Sequence, residues 1–99
     1  MNFSAGVILT AMLKVSSDVL WYDLEGELVL LHKGTWRYHG LDAVGGFIFR
    51  ALAADQSVPQ IVESLTRTYS VEPDVARAEV ERLIGELCAA KLLTDEVSA

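Results

Sequence analysis

The hydrophobic period of this chain changes once, near Gly40, and no other feature limits its possible folds as sharply. Before that point apolar residues tend to alternate; after it they recur every three to four positions. Alternation belongs to strands and the longer spacing to helices. Val19 to Leu24 and Glu27 to His32 are strand-like runs joined at Glu25-Gly26, and Lys33-Gly34 separates the second run from Thr35 to His39. Two short glycine-bearing connections between β-prone runs predict a three-stranded antiparallel meander. With two-residue loops at both connections, Tyr22 lies opposite Val29, and Val29 opposite Tyr38. Leu20, Leu31 and Trp36 then share their face, which is wholly apolar. Trp21, Asp23, Leu28, Leu30, Arg37 and His39 fall on the other, mixed face. The apolar face is the one expected beneath a covering layer.

The second half reads as three helices. Asp42 is placed to cap the first, in which Val44, Phe47, Ile48, Ala51 and Leu52 form one stripe. Gly45-Gly46 inside that helix costs about 1 kcal/mol per glycine relative to alanine, so a close approach of another backbone is expected there. Ser57-Val58-Pro59-Gln60 has the spacing of a capping box and opens the second helix, whose apolar members are Ile61, Val62, Leu65 and Tyr69. The third begins near Pro73 and runs to the region of Ala90, with Ala76, Val80, Leu83, Ile84, Leu87 and Cys88 inward. Neither Ser70 nor Glu72 fits cleanly as its cap. Strands first and helices after define an α+β domain. Its expected span is residues 18–94, with residues 1–17 as an N-terminal arm or extra strand and residues 95–99 as a C-terminal tail.

Ninety-nine residues suffice for one domain with a single core, and a hydrophobic content of 52% leaves apolar surface for a partner. Fourteen acids against eight Lys and Arg give a net charge of -6, which argues against nucleic acid and anionic membrane as partners. The apolar stretch Val7 to Leu13 is too short to span a bilayer and has no basic residue before it, so no cleaved signal is expected. A single cysteine, Cys88, implies a reducing compartment, most simply the cytoplasm. It reads as a small buried hydrophobe. His32 and His39 read as solvated strand histidines, without cysteine or carboxylate at ligand spacing. No glycine-rich phosphate loop, metal cluster or nucleophile–base pair is present, so neither catalysis nor a cofactor or metal is expected. The outer strands of a three-stranded sheet have unpaired edges, which recruit other chains or a second copy of the same one.

Glu27-Leu28-Val29-Leu30-Leu31, followed by Arg37-Tyr38-His39-Gly40-Leu41-Asp42-Ala43-Val44-Gly45, resembles the strand–strand–helix segment of PqqD-like proteins. That family's pattern is roughly LVLL…GRYYGLNPVG. Ile61-Val62 with Tyr69-Ser70-Val71 is similar to its second helix and exit. Ala78-Glu79-Val80 through Leu83, Leu87 and Lys91-Leu92-Leu93 is similar to its third helix and terminal GLL. The resemblance spans Val19 to Leu93; singly the motifs are weak, but their order and spacing are specific. Trp36 and Lys91 stand where the family has glycine, and Asp42 where it has asparagine. Asp42 serves a helix cap equally well. Trp36 alters the edge strand's surface, and with it the peptide accepted.

The resemblance implies a winged-helix-like fold and a non-catalytic role, the recognition of the leader segment of a ribosomally made precursor peptide. It implies that the leader adds as a fourth strand beside the third and packs into the groove between that strand and the third helix. The candidate site is then Thr35, Trp36, Arg37, Tyr38 and His39 from the strand, with Val75, Ala76, Glu79, Val80, Arg82 and Leu83 from the helix. Implied partners are the leader peptide and a separate leader protease and cyclase, as in lasso-peptide clusters; service beside a radical-SAM enzyme is the alternative. A winged-helix DNA-binding regulator shares this architecture. Its third helix, however, would here carry Glu72, Asp74, Glu79, Glu81 and Glu86 against Arg77, Arg82 and Lys91, which repels phosphate.

Overall fold

Glu25 and Gly26 take positive φ values of 51° and 91°, which make a tight two-residue turn and set the register of the strands on either side. The computed structural model describes residues 13–95. The elements run β1 (Leu13–Val15), β2 (Val19–Leu24), β3 (Glu27–His32), β4 (Arg37–Leu41), α1 (Ala43–Ala53), α2 (Val58–Tyr69), α3 (Pro73–Ala89) and β5 (Leu93–Asp95). β2, β3 and β4 form an antiparallel meander with β3 central, and β1 pairs with β5 in a separate ribbon. This is the α+β arrangement that the change of period predicts, in the winged-helix-like form that the resemblance implies. Residues 1–12 of the expected arm and residues 96–99 of the expected tail lie outside the described residues. No described helix is long and apolar enough to cross a membrane.

Tyr22 pairs with Val29, as the first turn requires. The second hairpin departs from expectation. β4 starts at Arg37 rather than Thr35, Val29 faces Gly40, and Tyr38 faces Leu31. Lys33 to Trp36 make a four-residue turn, closed by the Trp36 N–H donating to the His32 carbonyl at 2.7 Å. His32 explains the longer loop. Its ring is buried, not solvated as expected, and Nδ1 accepts the N–H groups of Gly34 at 3.0 Å and Thr35 at 3.3 Å. Gly34 is needed beside it, because a Cβ there would lie 2.8 Å from the ring. His32→Ala leaves two N–H groups without their acceptor and is expected to cost about 2 kcal/mol. Gly34→Ala is expected to destabilise the wild type but to do so much less in the His32→Ala background. Urea denaturation of the four proteins measures that coupling.

A shift of two residues keeps every side chain on its own face, so Leu20, Tyr22, Val29, Leu31 and Tyr38 do share one. That face is the open one. Leu20, Tyr22 and Tyr38 are 50%, 46% and 64% exposed, while Val19, Leu28 and Leu30 of the mixed face are buried. The expectation that the apolar face would be covered is therefore reversed, and α1 explains why. Asp42 alone links β4 to α1, and its Oδ1 accepts the Gly45 N–H at 2.8 Å. The helix then lies close against the sheet: a Cβ on Gly45 would be 3.3 Å from Leu41 Cβ, and one on Gly46 3.4 Å from Leu28 Cβ. The glycine pair makes room for side chains, not for the second backbone that was expected. The charges of the covered face sit at its margins, where Asp23 pairs with Arg50 and Arg37 opens β4. Trp21 packs edge-on against Phe49 with ring centroids 5.2 Å apart.

The core joins Leu28 and Leu30 to Ile48 and Phe49 of α1, Ile61 and Leu65 of α2, and Val80, Ile84 and Leu87 of α3. Both bonds of the Ser57–Gln60 capping box are present. Ser70 ends α2 in the left-handed region, and Glu72 precedes Pro73 at the start of α3 without a side-chain cap bond. Proline at the first helical position lacks an N–H, so one fewer donor needs a partner there.

Candidate functional site

Among the described strands β4 pairs only with β3, so its outer edge is unpaired. Which backbone groups point outward follows from the turn at Glu25-Gly26. A two-residue turn makes Leu24 and Glu27 a hydrogen-bonded pair, and antiparallel bonding then alternates. The Lys33 N–H donating to the Asp18 carbonyl at 2.7 Å keeps the same parity at the far end. β3 therefore turns the backbone of Leu28, Leu30 and His32 towards β4, where Leu41, His39 and Arg37 are their partners. The N–H and C=O groups of Tyr38 and Gly40 face away from the sheet.

The C-terminal half of α3 runs beside this edge. A hollow of about 470 Å³ lies between them, lined by His39, Gly40, Leu41, Leu83, Glu86, Leu87, Ala89 and Ala90. A second, of about 290 Å³, adjoins it and is lined by Thr35, Arg37, His39, Ala89, Ala90 and Lys91. The two share His39, Ala89 and Ala90 and make one groove along the strand. A third hollow, of about 190 Å³, lies near the start of α3 among Val44, Leu65, Tyr69, Val71, Val75, Ala76 and Glu79.

The structure divides the candidate residues. Arg37, His39 and Leu83 line the groove, with Thr35 at its end. Tyr38 offers its backbone to the edge and its side chain to the open face. Trp36 lies in the turn, outside β4, and is 71% exposed. Val75 and Glu79 line the third hollow, where Ala76 also contributes. Ala76 and Val80 are fully buried, so they support the wall from within the core. Arg82 is exposed and tied to Glu79 at 2.9 Å and to Glu86. Its hydrogen bond to Glu79, and then the charges of Glu79 and Glu86, hold its guanidinium above its ordinary pKa. Sequence reasoning missed Gly40, Leu41, Glu86, Leu87, Ala89, Ala90 and Lys91. It centred the groove on Val75 to Leu83, whereas the hollow beside β4 is lined by α3 from Leu83 to Ala89.

Trp36 and Lys91 have φ values of 59° and 63°, in the left-handed region that favours glycine. Lys91 completes the end of α3: its N–H donates to the Cys88 carbonyl at 3.0 Å, and the Leu92 N–H to the Leu87 carbonyl at 2.8 Å. Those two bonds make a Schellman motif, whose left-handed position is usually glycine. Both residues stand where the PqqD-like pattern has glycine, and the backbone explains that pattern. Lys91→Gly is expected to stabilise the fold by about 1 kcal/mol, raising the unfolding midpoint by about 5 °C in calorimetry.

Among the described residues no cluster of His, Cys, Asp or Glu could hold a metal ion. A free strand edge backed by a groove, on a three-stranded sheet with three helices, defines a winged-helix-like domain suited to strand addition. The chain belongs to the PqqD family: that family, described as coenzyme PQQ synthesis protein D, matches residues 27–93, about two thirds of the chain. Among solved structures it is similar to TbiB1 in complex with the TbiA(beta) leader peptide, with 31% identity and a TM-score of 0.77 over 87% of this chain and 98% of that one. It shares its fold with lasso peptide synthetase B1 complexed with the leader peptide, at 20% identity and a TM-score of 0.80 over 85% and 99% of the two chains. No curated protein matches it.

Proposed function

We propose that this protein binds the leader region of a ribosomally made precursor peptide by strand addition to β4. It acts without chemistry of its own and delivers the peptide to a separate leader protease and cyclase in lasso-peptide biosynthesis. The observation that carries this reading is the pair of outward-facing backbones at Tyr38 and Gly40 beside the groove of β4 and α3. TbiB1, 31% identical over nearly all its length, is itself bound to a leader peptide. An added strand bonds through its main chain whatever its sequence, and the hollows then choose among side chains. A free leader is disordered and gives up that freedom on binding, which favours an affinity between about nanomolar and low micromolar.

The test is a titration of isotope-labelled protein with a synthetic leader peptide of a lasso-type precursor. Amide shifts are expected to concentrate on Arg37–Leu41 and on the end of α3 from Leu83 onward. Saturable binding that moves only β2 or the open face would place the peptide elsewhere, and no binding at all would remove the function.

A further inference from the structure

We infer that the groove ends in an anion-reading subsite formed by Arg37 and Lys91, and that the bound leader carries an acidic side chain at that point. This rests on the strand addition proposed above and names a determinant of its specificity. The chain has 14 acids and only eight Lys and Arg. Lys14, Arg50, Arg77 and Arg82 are each paired with a carboxylate. Arg37 and Lys91, like Lys33 and Arg67, form no ion pair among the described residues, despite that surplus of acid. What sets these two apart is that they share one hollow, and no Asp or Glu lines it with them. The acid next along the groove, Glu86, belongs to the adjoining hollow and is held by Arg82.

The end of α3 would ordinarily oppose an anion, because its last carbonyls carry partial negative charge. Here the N–H groups of Ala90, Lys91 and Leu92 turn back to the carbonyls of Glu86, Cys88 and Leu87 at 3.0, 3.0 and 2.8 Å. Those oxygens are satisfied from within, and the charge of Lys91 offsets what remains. A carboxylate lying along β4 would meet the planar guanidinium of Arg37 on one wall and the Lys91 ammonium on the other, a pairing that suits a bidentate contact. Separate duties explain each cation alone: Arg37 as a guard on an exposed edge, and Lys91 as a complement to the helix end. Neither duty requires a bound peptide to be acidic.

The test selects random displayed peptides on the intact protein and on Arg37→Glu/Lys91→Glu. The wild type is expected to enrich Asp or Glu at a constant spacing from apolar residues that fill the adjoining hollow beside Leu41, Leu83 and Leu87. The charge-reversed protein is expected to enrich Lys or Arg at that spacing, with the apolar residues retained. The same uncharged consensus from both proteins would remove the subsite and leave strand addition standing. If no enriched peptide shifts the amides of β4, strand addition itself falls. Arg37→Gln/Lys91→Gln guards against a disturbed helix end. It is expected to weaken the best wild-type peptide about tenfold, and a Gln in place of that peptide's acid should abolish the difference. An equal loss with the acid-free peptide would overturn the subsite.

Discussion

Leu30→Ala is expected to lower folding stability by about 3 kcal/mol, whereas Leu20→Ala should change it by less than about 1 kcal/mol. The two residues have the same side chain and lie on neighbouring strands of one sheet. They differ in the face they occupy. Leu30 is fully buried among α1 and its neighbours, so truncation leaves a cavity as well as losing transfer energy. Leu20 is half exposed and already in water. Urea denaturation of both variants reads the difference directly. The opposite ranking would mean that the helices cover the face of Leu20, Tyr22 and Tyr38 instead.

Gly40→Pro is expected to weaken leader binding at least about tenfold while the protein stays folded, because it removes an outward N–H from the edge of β4. A Cβ at Gly40 meets nothing within 4 Å, so Gly40→Ala should bind and fold as the wild type does. His39→Pro makes the contrasting case. Its N–H faces β3, opposite Leu30, and its loss should destabilise the sheet whether or not peptide is present. Calorimetric titration with the leader, alongside thermal unfolding, separates these outcomes. Equal affinity for wild type and a folded Gly40→Pro would end the strand-addition reading.

The open face has a consequence for any peptide added at this edge. Tyr38 lies there beside Leu31 and Leu20, which face one another across the three strands. An added strand would place alternate side chains on the same surface. The leader's side chains would thus divide between the groove and an apolar sheet face. Specificity on the groove side can be read from its lining residues.

The elements themselves were legible along the chain. Alternation and the Glu25-Gly26 turn are local, as are the Asp42 cap and the Ser57–Gln60 capping box, and local signals survive in one dimension. The order and spacing of short motifs pointed to the PqqD family, which the match over residues 27–93 shows. The length of the second turn was not legible, because it depends on where the His32 ring lies. A buried imidazole accepting the N–H groups of Gly34 and Thr35 lengthens the loop, and nothing in the residue types requires that acceptance.

What the amino-acid order determined by itself was the class of fold, the partition of each strand into two faces, and the presence of an exposed edge. Which face became the interior was decided in three dimensions, by the one-residue passage from β4 into α1 and by two glycines that let the helix settle on Leu28 and Leu41. The place where α3 crosses β4 was decided in the same way. Periodicity states which side chains stand together but carries no information on which neighbour will cover them, since that depends on contacts between segments distant along the chain.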